Sequence, residues 1–132
     1  MPGTDITTHP IHLGRGATAV VEPAFTGNLE WYQGYTGRHA ADGTEGRLVS
    51  MFTFTESWAM WEMHPNGSEV VLCTAGVLTL HQEGPDAVRR TVVLRPGEYA
   101  INEPGVWHTA DVEGPVTAVF ITAGWDTQHR PR

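Results

Sequence analysis

The sequence has little of several features that point directly to a function. Cys73 is the only cysteine among 132 residues, so the chain cannot form an internal disulfide or build a zinc site from two of its own thiolates. Acidic residues outnumber basic ones by 15 to 8, the formal net charge is -7, and no run of Lys or Arg occurs. Nucleic acid and an anionic membrane surface are therefore unexpected partners.

Long apolar segments are also missing. Residues 1–16 are polar and lack the apolar stretch of a signal peptide, and no segment approaches the ~18 apolar residues of a membrane helix. A single cysteine suits a reducing compartment. We therefore expect a cytoplasmic protein without a membrane partner.

Helical periodicity is almost absent, and short apolar segments rich in Val, Ile, Thr and aromatic residues fill the chain instead. Turns such as HPNG and EGPD separate these segments. The spacing predicts an all-β domain over residues 17–126, a polar rim loop at 37–47, and surface tails at 1–16 and 127–132. The predicted strands are 17–22, 30–36, 47–54, 58–64, 69–74, 77–83, 87–94, 99–102, 107–113 and 116–123.

A polar cluster interrupts the apolar pattern in the stretch "WEMHPNGSEVVLCTAG". Residues two apart in a strand share a face, so Glu62 and His64 point the same way. The PNG turn that follows allows an antiparallel return to bring Glu69 beside them, and the PG turn before His108 allows that residue to enter the same structure. Imidazole and carboxylate together are a usual ligand mixture for Zn, Mn, Fe, Ni or Co. The four side chains are therefore candidate metal ligands.

These residues resemble the two sequence motifs of the cupin family. The first motif has the form G-x5-H-x-H-x3,4-E-x6-G and the second G-x5-P-x-G-x2-H-x3-N. The spacing agrees at Glu62, His64, Glu69 and Gly76 in the first motif and at Gly97, Gly105 and His108 in the second. A different residue type stands at four motif positions, which are Glu56, Glu62, Glu103 and Val112. Two motifs in the right order are far more specific than either alone.

The resemblance implies a small single-domain jelly roll, the double-stranded β-helix of cupins, with one divalent ion (Fe, Mn, Ni or Zn) in its barrel. His64, Glu69 and His108 then carry over directly as ligands. Glu62 takes the place of a histidine, and it is either a fourth ligand or a general base beside a three-ligand metal. Glu103, near the turn before His108, is a second candidate base.

Aromatic and basic residues near these motifs are candidates for a substrate pocket. Trp58, Trp61, Trp107 and Tyr99 are candidates for the pocket mouth, and Trp107 is the strongest of them because it adjoins His108. Arg47 stands at a strand start where it could meet an anionic substrate. The alternatives are packing in the core for the aromatic residues and solvation for the arginine. Cys73 is expected to pack in the core. The polar residues without a partner at supporting spacing, which we do not expect to be ligands, are His9, His12, His39, Asp42 and His81.

The resulting functional hypothesis is a metal-dependent enzyme that acts on a small oxygen-rich molecule as a dioxygenase, isomerase or lyase. The alternative is a non-catalytic cupin that binds a small ligand or a metal, and a further one is a metal-free dimerisation scaffold. The resemblance also implies a homodimer, with residues 17–36 as candidates for the interface.

Overall fold

The computed structural model describes all residues from 1 to 132. Two antiparallel sheets form the body of the protein. The strands are β1 (Ile11–Gly14), β2 (Thr18–Val21), β3 (Arg47–Phe54), β4 (Met60–Met63), β5 (Glu69–Ala75), β6 (Leu78–Glu83), β7 (Arg89–Leu94), β8 (Tyr99–Asn102), β9 (Trp107–Asp111), β10 (Val116–Thr122) and β11 (Gln128–Pro131). One α-helix, α1 (Leu29–Arg38), and 3-10 turns at Arg15–Ala17 and Ala40–Glu45 complete the chain.

The sheets have the strand orders β2-β1-β3-β10-β5-β8 and β11-β4-β9-β6-β7. Alternation of apolar and polar residues explains how they pack. In β5, for example, Val71 and Cys73 are fully buried while their neighbours are partly exposed, because successive side chains point to opposite faces. The buried core consists of Val71, Cys73, Leu78, Leu80, Leu94, Ala110, Val116, Ala118 and Phe120.

This arrangement confirms the predicted all-β jelly roll, with one correction. Each sheet keeps its own backbone ladders, so hydrogen bonds do not close the expected barrel. Two facing layers enclose the interior instead. No helix of the protein combines the length and the apolarity needed to cross a membrane.

The strand predicted at 30–36 is wrong, because these residues lie in α1. Aromatic residues in this segment favoured a strand, but the local start and stop signals are helical. The Asn28 side chain accepts a hydrogen bond from the Trp31 backbone N–H at 2.8 Å, as an N-cap does. Glu30 lies in the first turn and Arg38 in the last, which suits the helix dipole. The predicted rim loop at 37–47 likewise contains the 3-10 turn Ala40–Glu45.

Both predicted tails are also wrong in part, because each contains a strand. β1 pairs with β3, with His12 opposite Leu48, and β11 pairs with β4, with His129 opposite Glu62. β11 has no apolar alternation, and β1 has only Ile11 and Leu13 two positions apart, which is too short a pattern to identify a strand in the sequence. They form because the edges of β3 and β4 offer backbone groups to pair with, which only the folded sheet provides.

Candidate metal centre

The four predicted ligands come from three strands and the turn that follows one of them. Glu62 lies on β4 directly opposite His108 on β9, His64 follows β4, and Glu69 is the first residue of β5. His64, Glu69 and His108 are 3%, 3% and 0% exposed. Pairing of β4 with β9 therefore brings His64 and His108 together although they are far apart in the sequence. Their ring centroids lie 5.1 Å apart.

The ligand atoms converge on one point. The Nε2 atoms of His64 and His108 lie 3.2 and 3.1 Å from the two carboxylate oxygens of Glu69. The Glu62 carboxylate is more distant, at 4.0 Å from His64 Nε2 and 3.7 Å from His108 Nε2. Glu62, His64 and His108 each offer one ligand atom within 4.8 Å of the other two. The compact part of the set is thus the two histidines with Glu69.

Hydrogen bonds fix the tautomers of both imidazoles. Thr127 Oγ1 donates to the Gly124 carbonyl at 2.9 Å, so it accepts from His64 Nδ1–H at 2.7 Å. His108 Nδ1 faces the Val106 carbonyl at 3.3 Å, which only accepts. In the neutral rings the proton therefore sits on Nδ1, and each Nε2 presents a lone pair to the interior.

Neither Nε2 atom has a hydrogen-bond partner, although both are buried. The contacts to Glu69 are short enough for an ion pair, but they lack hydrogen-bond geometry. Buried polar atoms are satisfied in the great majority of cases, so an exception calls for an explanation such as an ion. A metal bound by the two lone pairs supplies it, and carbonyl or hydroxyl partners on the other ring nitrogen are usual for metal-binding histidines.

Glu69 is held in place from behind by three polar residues. Thr122 donates to Oε2 at 2.6 Å and Asn102 donates to Oε1 at 3.1 Å. Gln82 in turn donates to the Asn102 side-chain oxygen at 2.7 Å. These bonds orient a buried carboxylate between the two imidazoles, as expected of a metal ligand with an ordered outer shell.

The charge balance of the group appears in its pKa values. Burial alone would raise the pKa of Glu69, but the adjacent His108 and His64 outweigh burial and lower it. Burial alone would lower the pKa of His108, but Glu62 and Glu69 outweigh it and raise the pKa to about 9. Both directions express the same fact: this pocket of carboxylates attracts positive charge.

The residues fit a divalent ion. An octahedral ion with ligands at ~2.1 Å has neighbouring ligand atoms roughly 3 Å apart, close to the two distances from Glu69 to the imidazoles. Two neutral imidazoles and one or two carboxylates are a usual donor set for Zn, Fe, Mn or Ni. His64, Glu69 and His108 would hold the ion, with Glu62 within reach as a fourth group.

A cavity of about 530 Å³ adjoins this group, within the range of small-molecule sites. Sheet residues form its floor, and one face of α1 covers it. Most of the residues around it are aromatic or polar without a positive charge. The lining includes His12, Leu29, Tyr32, Tyr35, His39, Leu48, Ser50, Phe52, Trp58, Glu62, His64, Glu69, Phe120, Thr122, Trp125, Asp126, Thr127 and His129.

Of the predicted pocket residues, Trp58 lines this cavity, and Trp61, Trp107, Tyr99 and Arg47 do not. Tyr99 is 64% exposed on the edge strand β8, and Arg47 is exposed at the start of β3. Trp107 stacks on Arg130, whose guanidinium lies 4.5 Å from its ring centroid. Trp107 points away from the cavity because His108 faces the interior and adjacent residues of a strand point to opposite sides of the sheet. Glu103 is exposed and accepts a hydrogen bond from Ser68 at 3.3 Å.

Several residues beside the candidate site were not predicted from the sequence. His129 Nε2 lies 3.3 Å from Glu62 Oε1, and Thr127 orients His64, yet both lie in the predicted C-terminal tail. Trp125 and the residues of α1 line the cavity. The one available signal was the alternation of His129 with Thr127 near the end of the chain, and it identifies no partner.

The family comparison agrees with this geometry. The model of the family described as "Cupin domain" matches residues 54–124, just over half of the chain. The chain belongs to the cupin family. The two imidazoles and Glu69 of this cupin stand where the motif spacing puts them. Gly76 ends the first motif with a φ of +75°, and a Cβ there would lie 2.3 Å from the Pro115 carbonyl oxygen.

Solved structures show the same fold at low sequence identity. A double-stranded β-helix protein from Klebsiella pneumoniae has a TM-score of 0.53 and 20% identity, over 65% of this chain and 76% of that one. A hydroquinone 1,2-dioxygenase in complex with Cd²⁺ and 4-hydroxybenzonitrile has a TM-score of 0.51 and 13% identity, over 58% and 56%. Peruvianin-I from Thevetia peruviana latex, described as a cysteine peptidase, has a TM-score of 0.58 and 19% identity, over 72% and 62%.

This cupin spans only about three fifths of the first two solved chains it matches, 59% of a hydroquinone 1,2-dioxygenase from Sphingomonas and 62% of Peruvianin-I. No curated protein matches it. The comparisons therefore establish the family and the fold of this chain and not its reaction.

Proposed function

We propose that this cupin is a metal-dependent enzyme for a small molecule that has an apolar body and an oxygen donor. One observation supports this most directly: two buried imidazoles of fixed tautomer direct unpartnered Nε2 atoms toward Glu69, and His64 and Glu69 line a cavity of about 530 Å³. A structural histidine would have its second nitrogen satisfied within the protein. These two atoms instead suit an ion that a substrate in the cavity can reach.

A divalent ion in this position would polarise a substrate oxygen or, if redox-active, support reaction with dioxygen. His64, Glu69 and His108 would hold it. We assign Glu62 to proton transfer, because it is farther from the imidazoles than Glu69, lines the cavity and has a side chain that is 28% exposed. His129, 3.3 Å from Glu62 Oε1, would orient its carboxylate toward the substrate.

The cavity supports a neutral substrate with an apolar or aromatic body. Phe52, Trp58 and Phe120 contribute apolar rings, and Tyr32 and Trp125 contribute rings with a polar group. No arginine lines the cavity, so a phosphate or a dicarboxylate would lack a bidentate partner. Dioxygenase, isomerase and lyase reactions all remain compatible with this pocket, with Fe, Mn, Ni or Zn as the ion.

A homodimer is part of the proposal. β2 is an edge strand of its sheet, and Val20 and Val21 on it are 42% and 59% exposed. An exposed apolar edge is a ready site for pairing with a second chain. Its pairing would agree with the interface expected within residues 17–36.

The test combines elemental analysis with oxygen-uptake and isomerisation assays over sugars, keto acids and phenols. For the wild type we expect about one divalent ion per chain and turnover of at least one phenol or similarly apolar compound. The Glu62→Gln variant should keep its metal and lose turnover, and Glu103→Gln serves as a control that keeps both. Loss of metal from Glu62→Gln would make Glu62 a ligand. Ligand binding without turnover of any compound would favour the non-catalytic alternative.

A further inference from the structure

A second polar group lies at the other end of the cavity floor. Directly opposite residues on neighbouring strands share a face of the sheet, and one such row runs across β1, β3, β10 and β5. Its members, in order, are His12, Leu48, Thr122 and Glu69, and all four line the cavity. His12 is thus three strands from the metal-facing Glu69, or roughly 14 Å between Cα atoms at ~4.8 Å per strand.

His12 is 2% exposed and both of its ring nitrogens are hydrogen-bonded. Nε2 lies 2.6 Å from Asp42 Oδ2, and Nδ1 lies 2.7 Å from the Tyr35 hydroxyl. Hydrogen bonding to His12 lowers the pKa of Asp42, so this carboxylate is ionised and can only accept. His12 Nε2–H therefore donates to Asp42, and Nδ1 of the neutral ring accepts from the Tyr35 hydroxyl.

The surroundings hold this chain of three groups in place. The His39 ring stacks on His12 with centroids 3.6 Å apart, and His39 Nε2 lies 2.9 Å from the buried carboxylate of Glu22. Arg38 donates to the other oxygen of Glu22 at 3.0 Å. A Cβ at Gly46 would lie 2.7 Å from His12 Cε1, so the backbone packs directly against the ring.

His12, His39 and Asp42 also lie close enough together to be considered as metal ligands. Their hydrogen bonds argue against this role. Both His12 nitrogens already have partners at 2.6 and 2.7 Å, and the two rings are stacked within 15° of parallel. Stacked rings whose nitrogens face other partners do not direct two lone pairs at one ion.

Tyr35 is the member of the group that can meet a ligand. It lines the cavity from α1, and burial raises the pKa of its phenol, so the hydroxyl keeps its proton. Because that proton is donated to His12 Nδ1, the Tyr35 oxygen has lone pairs left to accept a hydrogen bond. The polarity of this end of the cavity is therefore set by Asp42 through His12.

We propose that Tyr35, held by His12 and Asp42, binds a hydroxyl or N–H donor at the far end of the substrate, while the near oxygen faces the metal residues. The substrate is then an elongated molecule with an apolar, ring-sized body and a polar group at each end. This inference rests on the proposed function, because it takes the metal end of the cavity as the place of the first oxygen.

The test measures binding of matched phenols to zinc-loaded protein by calorimetry. Hydroquinone and 4,4′-dihydroxybiphenyl have a donor at the far end, whereas 4-fluorophenol and 4-fluoro-4′-hydroxybiphenyl lack it at nearly equal size. At least one of the two diphenols should bind about three- to tenfold more tightly than its own fluoro analogue. This is the range of affinity that one neutral hydrogen bond provides. The ratio should fall to about one in Tyr35→Phe and persist in Tyr99→Phe, which removes an exposed phenol outside the cavity.

Asp42→Asn is a second variant, which should reverse the direction of the hydrogen bonds that run through His12 to Tyr35. The Arg15 backbone N–H donates to Asp42 Oδ1 at 3.2 Å, so the asparagine should keep its oxygen there and present its NH₂ to His12. His12 would then carry its proton on Nδ1 and donate to Tyr35, which frees the Tyr35 hydroxyl to donate. We expect 4-hydroxyacetophenone, which ends in a carbonyl, to gain about threefold over hydroquinone.

The outcomes separate the two proposals. Equal binding of diphenols and fluoro analogues to the wild type, or a preference that survives Tyr35→Phe, overturns the role of Tyr35 alone. Equal weakening of all probes by Asp42→Asn means that the group only supports the fold, and it also overturns that role. A second zinc ion per chain would make His12, His39 and Asp42 a metal site. Binding of none of the four phenols would overturn the proposed function together with this inference.

Discussion

The two ends of the cavity use the same kinds of side chain in opposite ways. At one end, His64 and His108 bond through Nδ1 and leave Nε2 without a hydrogen-bond partner. At the other end, both nitrogens of His12 are hydrogen-bonded. A buried lone pair without a partner is costly until an ion binds it, whereas a satisfied imidazole needs nothing more. Residue type alone therefore does not distinguish the two ends, and the unmet hydrogen-bond capacity is what makes the first end the candidate metal site.

The largest effect is expected when one of the two candidate imidazole ligands is removed. His64→Ala and His108→Ala each remove one of the two Nε2 donors, and elemental analysis of protein purified without chelator should show strong depletion of metal in both. Wild type should hold close to one ion per chain. His81→Ala is the matched control, since that ring pairs with Asp111 outside the cavity at 2.7 Å. Full metal content in either the His64 or the His108 variant would refute the proposed centre.

A smaller effect on metal affinity is expected when the hydrogen bond that orients His64 is removed. Thr127→Val keeps the shape of the side chain but removes the hydroxyl that accepts from His64 Nδ1 at 2.7 Å. Loss of such an outer contact typically weakens metal binding about 10- to 100-fold, which competition with a chelator can measure. Thr36→Val is the control, because the Thr36 hydroxyl donates only to the Tyr32 backbone carbonyl. Unchanged affinity in Thr127→Val would mean that His64 needs no orienting partner.

Substitution of His12, at the hydrogen-bonded end of the cavity, should lower the stability of the protein and leave its metal content unchanged. His12→Ala leaves the half-buried Tyr35 hydroxyl without its acceptor and the Asp42 carboxylate without its donor, and the two lost hydrogen bonds together cost about 1–3 kcal/mol. Urea denaturation should therefore show a lower free energy of unfolding by this amount, while elemental analysis finds the wild-type metal content. Loss of metal on this substitution would show that the two ends are not independent.

The smallest effect concerns a third histidine–carboxylate pair, at the surface. Arg132 and then His81 lower the pKa of Asp111 to about 2, below the 3.8 expected when unfolded. Since the folded pKa is the lower one, the pair stabilises the protein above about pH 4, and this contribution disappears as the pH falls toward 2. The Asp111 side chain is 42% exposed, so the contribution should stay below about 1 kcal/mol.

Unfolding measurements at pH 6 and pH 2 can detect this contribution. Asp111→Asn should be destabilised relative to wild type at pH 6 and nearly equal to it at pH 2. Glu113→Gln, at a nearby exposed position, controls for the general loss of a negative charge. A deficit of the same size at both pH values would count against the electrostatic explanation.

Prediction from sequence succeeded where local periodicity and fixed spacing carry the information. Strands with apolar alternation, such as β5, β6 and β10, were found close to their observed bounds. The motif spacing selected His64, Glu69 and His108, which the structure brings together, and their role as metal ligands stays a prediction. Prediction from sequence failed for α1, whose aromatic residues favoured a strand. It also failed for Trp107, where proximity in sequence to His108 was taken for proximity in space although adjacent strand residues face opposite ways.

By itself, the sequence determined the sheet-forming segments, the cupin motifs and the identities of the candidate ligands, because period-two patterning and turn residues act over a few neighbours. The tertiary structure alone decided that residues 11–14 and 128–131 become strands, that α1 covers the cavity, and that Thr127, His129, Tyr35 and His12 face it. Those placements depend on pairing with strands far away in the chain. A strand edge or a buried lone pair exists as a binding partner only after the sheets have formed.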